Sequence, residues 1–272
     1  MNFYPEKESK FYDLRKRVIS GLIFTTFALI VLIQGGLLAT FFLAFCLAVL
    51  AWEVLYIFSS GSSRLGPISI FIPIFIFFIP FLNFYNFYPL AALLVAATVS
   101  TIFHKKKFLN FFCIVYLSTS IIIFQNTFVS EKVTDNSQDL IFIILCVVAS
   151  DVGGYFFGRF IGGPKIWKSI SPNKTWAGSL GGILLAITVC VTLAGYVQYT
   201  ITTIVVLSFI MAVSTQAGDF FESWLKRKFN VKDSGFLLPG HGGLFDRLDG
   251  LLASVLVYGG LMYLLEIERL IK

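Results

Sequence analysis

Charge is scarce in this chain. Only 13% of its 272 residues are Asp, Glu, Lys or Arg, while 57% are hydrophobic. A soluble domain carries about a quarter charged residues, so an ordinary water-soluble globule is excluded. Cysteine is also scarce, and it is placed poorly for chemistry. Cys46, Cys113, Cys146 and Cys190 all lie in apolar stretches without CxxC or zinc-type spacing, which leaves packing as their role. The first 17 residues or so are polar and charged, so no cleavable signal peptide is expected, and the first apolar run reads as an uncleaved anchor. No GxxxxGK[ST] loop is present, which removes Walker-type nucleotide binding. Paired internal repeats with broken helices are missing too. Their lack weakens an ion-coupled transporter, the best alternative from another functional class.

What the chain does have is repeated apolar runs near 20 residues, 31 phenylalanines and a mean hydropathy of +0.84. Runs of that length match the bilayer core. Spans are expected at about 18–34, 37–58, 67–82, 87–103, 108–128, 139–160, 177–197, 200–221 and 248–266. The expected fold is therefore all-α, a polytopic transmembrane bundle of about nine helices. It divides into an N-terminal segment 1–17, N-terminal membrane helices 18–137, and a C-terminal catalytic region 138–272.

The net charge of +6 does not point to nucleic acid, because the basic residues sit in short clusters between apolar runs. With the N-terminus inside, 18 of the 21 Lys and Arg fall on the inner side. Only Lys132, Arg269 and Lys272 fall outside. The positive-inside rule then places the N-terminus in the cytoplasm and requires an odd number of spans.

Two long inner connections, about 159–176 and 222–247, are richer in Gly, Ser, Lys and Asp than a connector requires. Asp151 lies eight residues before Arg159, roughly 12 Å along a helix. A carboxylate that deep needs a polar cavity or a partner, and it is functional by default. The bland alternative is an ion pair with Arg159 or Lys174. Asp219, Glu222, Ser223, Lys226 and Arg227 recur at helical spacing and share one face. For Glu222 and Lys226 a plain salt bridge is a serious alternative. Asp246 and Asp249 are one helical turn apart, behind a loop containing Gly240, His241, Gly242 and Gly243. Glycines let backbone N–H groups approach a phosphate. Two acids beside that phosphate make sense with a divalent cation between them, and few hard oxygen ligands suit Mg²⁺. His241 is expected to hydrogen-bond phosphate rather than ligate metal. Asn173, Lys174 and Thr175 precede a helix start, where donors and the helix N-terminus favour an anion.

These residues resemble the phosphatidate cytidylyltransferases (CDP-diacylglycerol synthases). Ser223, Leu225, Lys226 and Arg227, then Lys232-Asp233 and Gly235, then Leu238-Pro239-Gly240-His241-Gly242-Gly243, Asp246-Arg247 and Asp249 follow the order of that family's C-terminal signature. Asp151–Arg159 and Ser171–Gly178 look like its two upstream motifs. The likeness is close in the C-terminal half and one of hydropathy alone in the N-terminal half. It implies transfer of CMP from CTP to phosphatidate, giving CDP-diacylglycerol and pyrophosphate. Asp219, Lys226, Asp246 and Asp249 would be catalytic, and Asp151, Asp219 and Asp246 would hold Mg²⁺, with room for a monovalent ion such as K⁺. Asn173, Lys174, Thr175, Ser223, Arg227, Lys232, Asp233, His241, Gly242, Gly243 and Arg247 would bind substrate. The implied location is the inner or plasma membrane, with the site facing the cytoplasm, and a homodimer is compatible with it. The nearest enzyme alternatives are a polyprenol kinase or an ether-lipid cytidylyltransferase.

Overall fold

A helix crosses the hydrocarbon core with about 20 residues at ~1.5 Å each, so length decides which runs can span. The computed structural model describes residues 26–60 (29 and 33 excepted), 106–128, 133–196, 199–237 and 242–271. Its helices are α1 (Gly36–Phe58), α2 (Lys107–Phe128), α3 (Val133–Phe160), α4 (Trp176–Thr192), α5 (Ile201–Lys228) and α6 (Phe245–Ile271). All except α4 are long and apolar enough to cross a membrane. Large apolar side chains such as Phe45, Phe112, Val148, Leu184 and Phe209 face outward, as lipid-facing positions do. The chain is a helical membrane protein. The spans expected at 67–82 and 87–103, and most of 18–34, lie outside the described residues.

Several expected boundaries move, including both ends of α6, which runs Phe245–Ile271 rather than 248–266, and one element is new. Helix α3 begins at Val133 rather than 139. Helix α4 stops at Thr192, followed by a 3₁₀ turn at Ala194–Tyr196. Its 17 residues make about 26 Å, less than a ~30 Å core. Helix α5 has 28 residues and continues to Lys228, two turns past the expected end. The connection after α3 is not merely a loop. It forms an antiparallel hairpin, β1 (Lys165–Trp167) and β2 (Ser171–Thr175), with Lys165 opposite Thr175 and Trp167 opposite Ser171. Gly162 and Gly163, at φ 67° and 96°, turn the chain into it through a region that other residues rarely adopt. The all-α expectation therefore holds for the membrane part and misses this hairpin.

The chain forms two compact units, Met1–Val115 with Phe229–Arg247, and Tyr116–Lys228 with Leu248–Lys272. In the second unit, helices α3, α4 and α5 meet through small residues. Ala149, Ala186 and Ala212 are buried together, with Ile183, Leu185 and Val189 packed around them. Gly178 lies so close to α3 that a Cβ there would stand 2.7 Å from the Gly154 carbonyl oxygen. Within lipid, close approach and van der Waals packing hold helices together, so small residues mark the contacts. Away from the hairpin, the Tyr199 hydroxyl donates to Asp139 Oδ1 at 2.8 Å and lies 3.3 Å from the Tyr258 hydroxyl. Burial raises the Tyr199 phenol above its usual range; the Tyr258 hydrogen bond lowers it in part, and Asp139 raises it further.

In the first unit, aromatic rings pack the segment after α5 onto α1. Phe58 and Phe229 are 4.4 Å apart between centroids, and Trp52 meets Phe236 edge-on at 5.3 Å. Lys106 lies over the Phe229 ring at 4.6 Å, a cation–π arrangement.

Candidate active site

The second unit encloses a cavity of about 680 Å³, walled by α3, the hairpin, the start of α4 and α5. A local cap and one long-range contact position the hairpin wall. Thr175 caps α4, its Oγ1 accepting from Gly178 N at 3.1 Å, which satisfies one of the orphan donors at a helix start. That cap stands where β2 ends and α4 begins. Arg227 holds the other side of the hairpin, donating from Nε to the Ile170 carbonyl at 3.4 Å.

Cations and carboxylates face each other in this cavity. Arg159, Lys165 and Lys174 line it along with Asp151 and Asp219. Lys174 Nζ is 2.6 Å from Asp219 Oδ2, with both side chains about three-quarters covered, and it also lies 4.6 Å over the Phe220 ring. Asp151 feels the charges of both Asp219 and Lys174. The ion pair weighed for Asp151 goes elsewhere: Lys174 pairs with Asp219, and Arg159 donates to the Tyr155 hydroxyl at 2.7 Å. Deeper in, Gln216 organises the floor. Its Oε1 accepts from Ser179 Oγ, while its Nε2 donates to the Ser179 carbonyl at 3.0 Å and to Ser150 Oγ at 3.5 Å.

Asp249, on α6, brings its carboxyl against that of Asp219. Gly250 permits this approach, because a Cβ there would stand 2.7 Å from Thr215 Cγ2 and 3.2 Å from Asp219 Oδ1. Asp151, Asp219 and Asp249 are thereby gathered in one unit, together with Asn173, Lys174 and Thr175. Ser223, Lys226 and Arg227 follow on α5 but do not line the cavity. Lys226 pairs with the buried Glu222 at 2.7 Å, so the salt bridge weighed from the sequence is present.

The remaining expected residues belong to the first unit. Lys232, Asp233 and Arg247 are exposed, Gly242 is half-buried and Gly243 is buried. His241 lies outside the described residues. Asp246 has partners quite different from those of Asp249, one turn away. Its Oδ2 accepts from Ser234 N at 2.9 Å and Gly243 N at 2.9 Å, and it lies 3.0 Å from Ser234 Oγ. In this structure that oxygen ties the glycine-rich loop to the start of α6.

Sequence reasoning missed Glu53. It is a wholly buried acid inside the Leu38–Phe58 span, and an acid in such a run is the signal that could have found it. Gln216, Ser150 and Ser179 were also missed, because uncharged polar residues inside a span carry no comparable mark.

The donor set suits a hard divalent cation. Among the described residues, no three His, Cys, Asp or Glu are grouped closely enough to hold a metal by themselves. Magnesium does not require such a cage, since it usually takes one or two carboxylates and completes its shell with water and substrate phosphates. Asp219 and Asp151, opening on a cavity rimmed by cations that can hold phosphates, fit that pattern.

The chain is 45% identical over 116 residues to the phosphatidate cytidylyltransferase of Brucella melitensis biotype 1, covering 42% of this chain and 43% of that protein. It is 39% identical over 124 residues to the phosphatidate cytidylyltransferase of Staphylococcus saprophyticus, covering 45% and 48%. The matched stretch spans less than half the length of these relatives. The model of the cytidylyltransferase family matches much more, residues 15–265. The chain belongs to the cytidylyltransferase family.

Proposed function

We propose that this protein transfers a cytidylyl group from CTP to phosphatidate, forming CDP-diacylglycerol and releasing pyrophosphate. The observation that carries the reading is the cavity whose cationic rim, Arg159, Lys165 and Lys174, stands over Asp151 and Asp219 in a chain of this family. A phosphatidate oxygen attacks the α-phosphorus of CTP, a P–O bond forms, and the bond to the β-phosphate oxygen breaks with its electron pair leaving on pyrophosphate. The nucleophile is already anionic at neutral pH, so no general base is required. Positioning and charge neutralisation can then supply the catalysis.

Lys174, Lys165 and Arg159 bind and orient the phosphates in this reading, with Asn173 adding a polar side chain at the rim. Asp219 and Asp151 would hold Mg²⁺, which when bound neutralises charge on the phosphates. Asp249 supports Asp219 from α6. Nine spans with the N-terminus inside place the cavity at the cytoplasmic face, where soluble CTP meets a lipid headgroup. The count of 18 basic residues on that side supports this orientation.

The deciding experiment uses purified protein in detergent with labelled CTP and phosphatidate, with and without Mg²⁺. Mg²⁺-dependent appearance of labelled CDP-diacylglycerol and pyrophosphate is expected. Turnover of a free polyprenol in place of phosphatidate would overturn the reading in favour of a kinase. Ion flux through liposomes without CTP turnover would overturn it in favour of a transporter.

A further inference from the structure

Glu53 stands apart from every acid that the sequence singles out. It lies on α1, and it is 0% exposed. Burying a carboxylate is costly unless several donors meet it, and here three do. Oε1 accepts from Leu244 N at 2.7 Å, and Oε2 accepts from Phe245 N at 2.7 Å and from Ser234 Oγ at 3.0 Å. Two of these donors are backbone N–H groups at the start of α6, where a negative charge is favoured.

The third donor makes a relay. Ser234 Oγ is 3.0 Å from Glu53 Oε2 and also 3.0 Å from Asp246 Oδ2, and the Ser234 amide bonds that same Asp246 oxygen at 2.9 Å. A single buried serine therefore stands between the two carboxyl groups. The loop is also shaped around Glu53. A Cβ on Gly235 would stand 2.8 Å from Glu53 Oε1, and one on Gly243 would stand 2.6 Å from it. Both distances are shorter than side chains tolerate, so these two signature glycines are the space that the Glu53 carboxyl fills.

We propose that Glu53 is a positioning residue, which holds the loop residues Ser234–Gly235 and Gly243–Phe245 on α1 and sets, through Ser234, where the Asp246 carboxyl sits. The link to turnover rests on the reading of Asp246 as part of the reaction machinery. The hold on the loop does not.

The test compares Glu53→Gln, Ser234→Ala and the double variant with the full-length parent. Hydrogen exchange at the Ser234 and Gly243–Asp246 amides is read beside kcat and the KM for CTP. In Glu53→Gln an NH₂ replaces one accepting oxygen, so exchange at the Leu244 and Phe245 amides should quicken by about tenfold or more. Expected kcat falls by roughly tenfold while KM stays within about threefold, and the double variant loses less than the two single losses combined. Ser234→Ala keeps both backbone bonds to Glu53, so it tests the relay even where Glu53→Gln fails to fold. Parent-like exchange with parent-like kcat overturns the proposal. So does a double variant whose losses simply multiply. If the parent itself fails to turn over CTP and phosphatidate, the functional reading has failed, and the exchange data alone decide whether Glu53 holds the loop.

Discussion

Lys174 Nζ lies 2.6 Å from Asp219 Oδ2, an ammonium against one oxygen of the carboxylate proposed above as a metal ligand. Lys174 thereby neutralises Asp219 from within the chain, and a divalent cation bound at Asp219 would have to compete with it. Lys174→Met is expected to tighten Mn²⁺ binding measured by electron paramagnetic resonance without nucleotide, and to raise the KM for CTP by about tenfold or more as one phosphate-facing cation is lost. Unchanged Mn²⁺ affinity would remove the competition between lysine and metal.

The buried pair Glu222–Lys226 separates a structural role from a catalytic one. Removing one partner of a buried pair typically costs about 3–5 kcal/mol, while replacing both with apolar groups is often neutral. Lys226→Met alone should unfold at a markedly lower temperature, and Lys226→Met with Glu222→Leu should recover most of that loss. If the recovered double variant is fully active, Lys226 contributes no charge to the reaction.

Asp246→Asn keeps an oxygen able to accept from Ser234 and Gly243 while losing the charge. Stability should fall by only about 1 kcal/mol, and CTP-dependent turnover by roughly a hundredfold or more if the acid serves the reaction. Near-parental turnover would take Asp246 out of the chemistry and leave it as the tie for the loop.

Gly178→Ala places a methyl group 2.7 Å from the Gly154 carbonyl oxygen, where backbone rather than a flexible side chain must yield. Helices α3 and α4 should separate at a cost of about 1–3 kcal/mol, visible in the thermal unfolding midpoint. Because both helices wall the cavity, activity should fall with it.

Tyr199→Phe removes the hydroxyl that joins Asp139 and Tyr258. This contact lies outside the cavity lining, so kcat and KM should stay at parental values while stability drops by about 1–3 kcal/mol, the range for leaving a buried polar group short of a partner. A change in the KM for CTP would show that the two regions communicate.

Much of the molecule was legible from residue order. The runs at 37–58 and 108–128 became α1 and α2 with one-residue shifts at their starts, and 139–160 became α3 with six residues added in front, because uninterrupted apolar length is enough to call a span. The grouping of Asp151, Lys174 and Asp219 was also approachable, since each is a polar residue within or beside an apolar run. The hairpin at Lys165–Thr175 was not. Its strands of three and five residues carry too little periodicity to stand out among Gly, Pro, Ser and Lys. The extension of α5 to Lys228 was legible in part: the span was expected to end at 221, where polarity rises, yet Asp219, Glu222, Ser223, Lys226 and Arg227 already recur at helical spacing beyond it.

By itself, the amino-acid order determined that this chain lives in a bilayer, roughly where its described helices run, and which short segments are candidates for phosphate chemistry. Those properties depend on composition and on spacing along one stretch of backbone. Only the tertiary structure decided which acid meets which base: Lys174 reached Asp219 rather than Asp151, and Glu53 met Ser234 from 181 residues away. Such partners are selected by how closely two backbones can approach, and that distance is a property of packed helices rather than of any single segment.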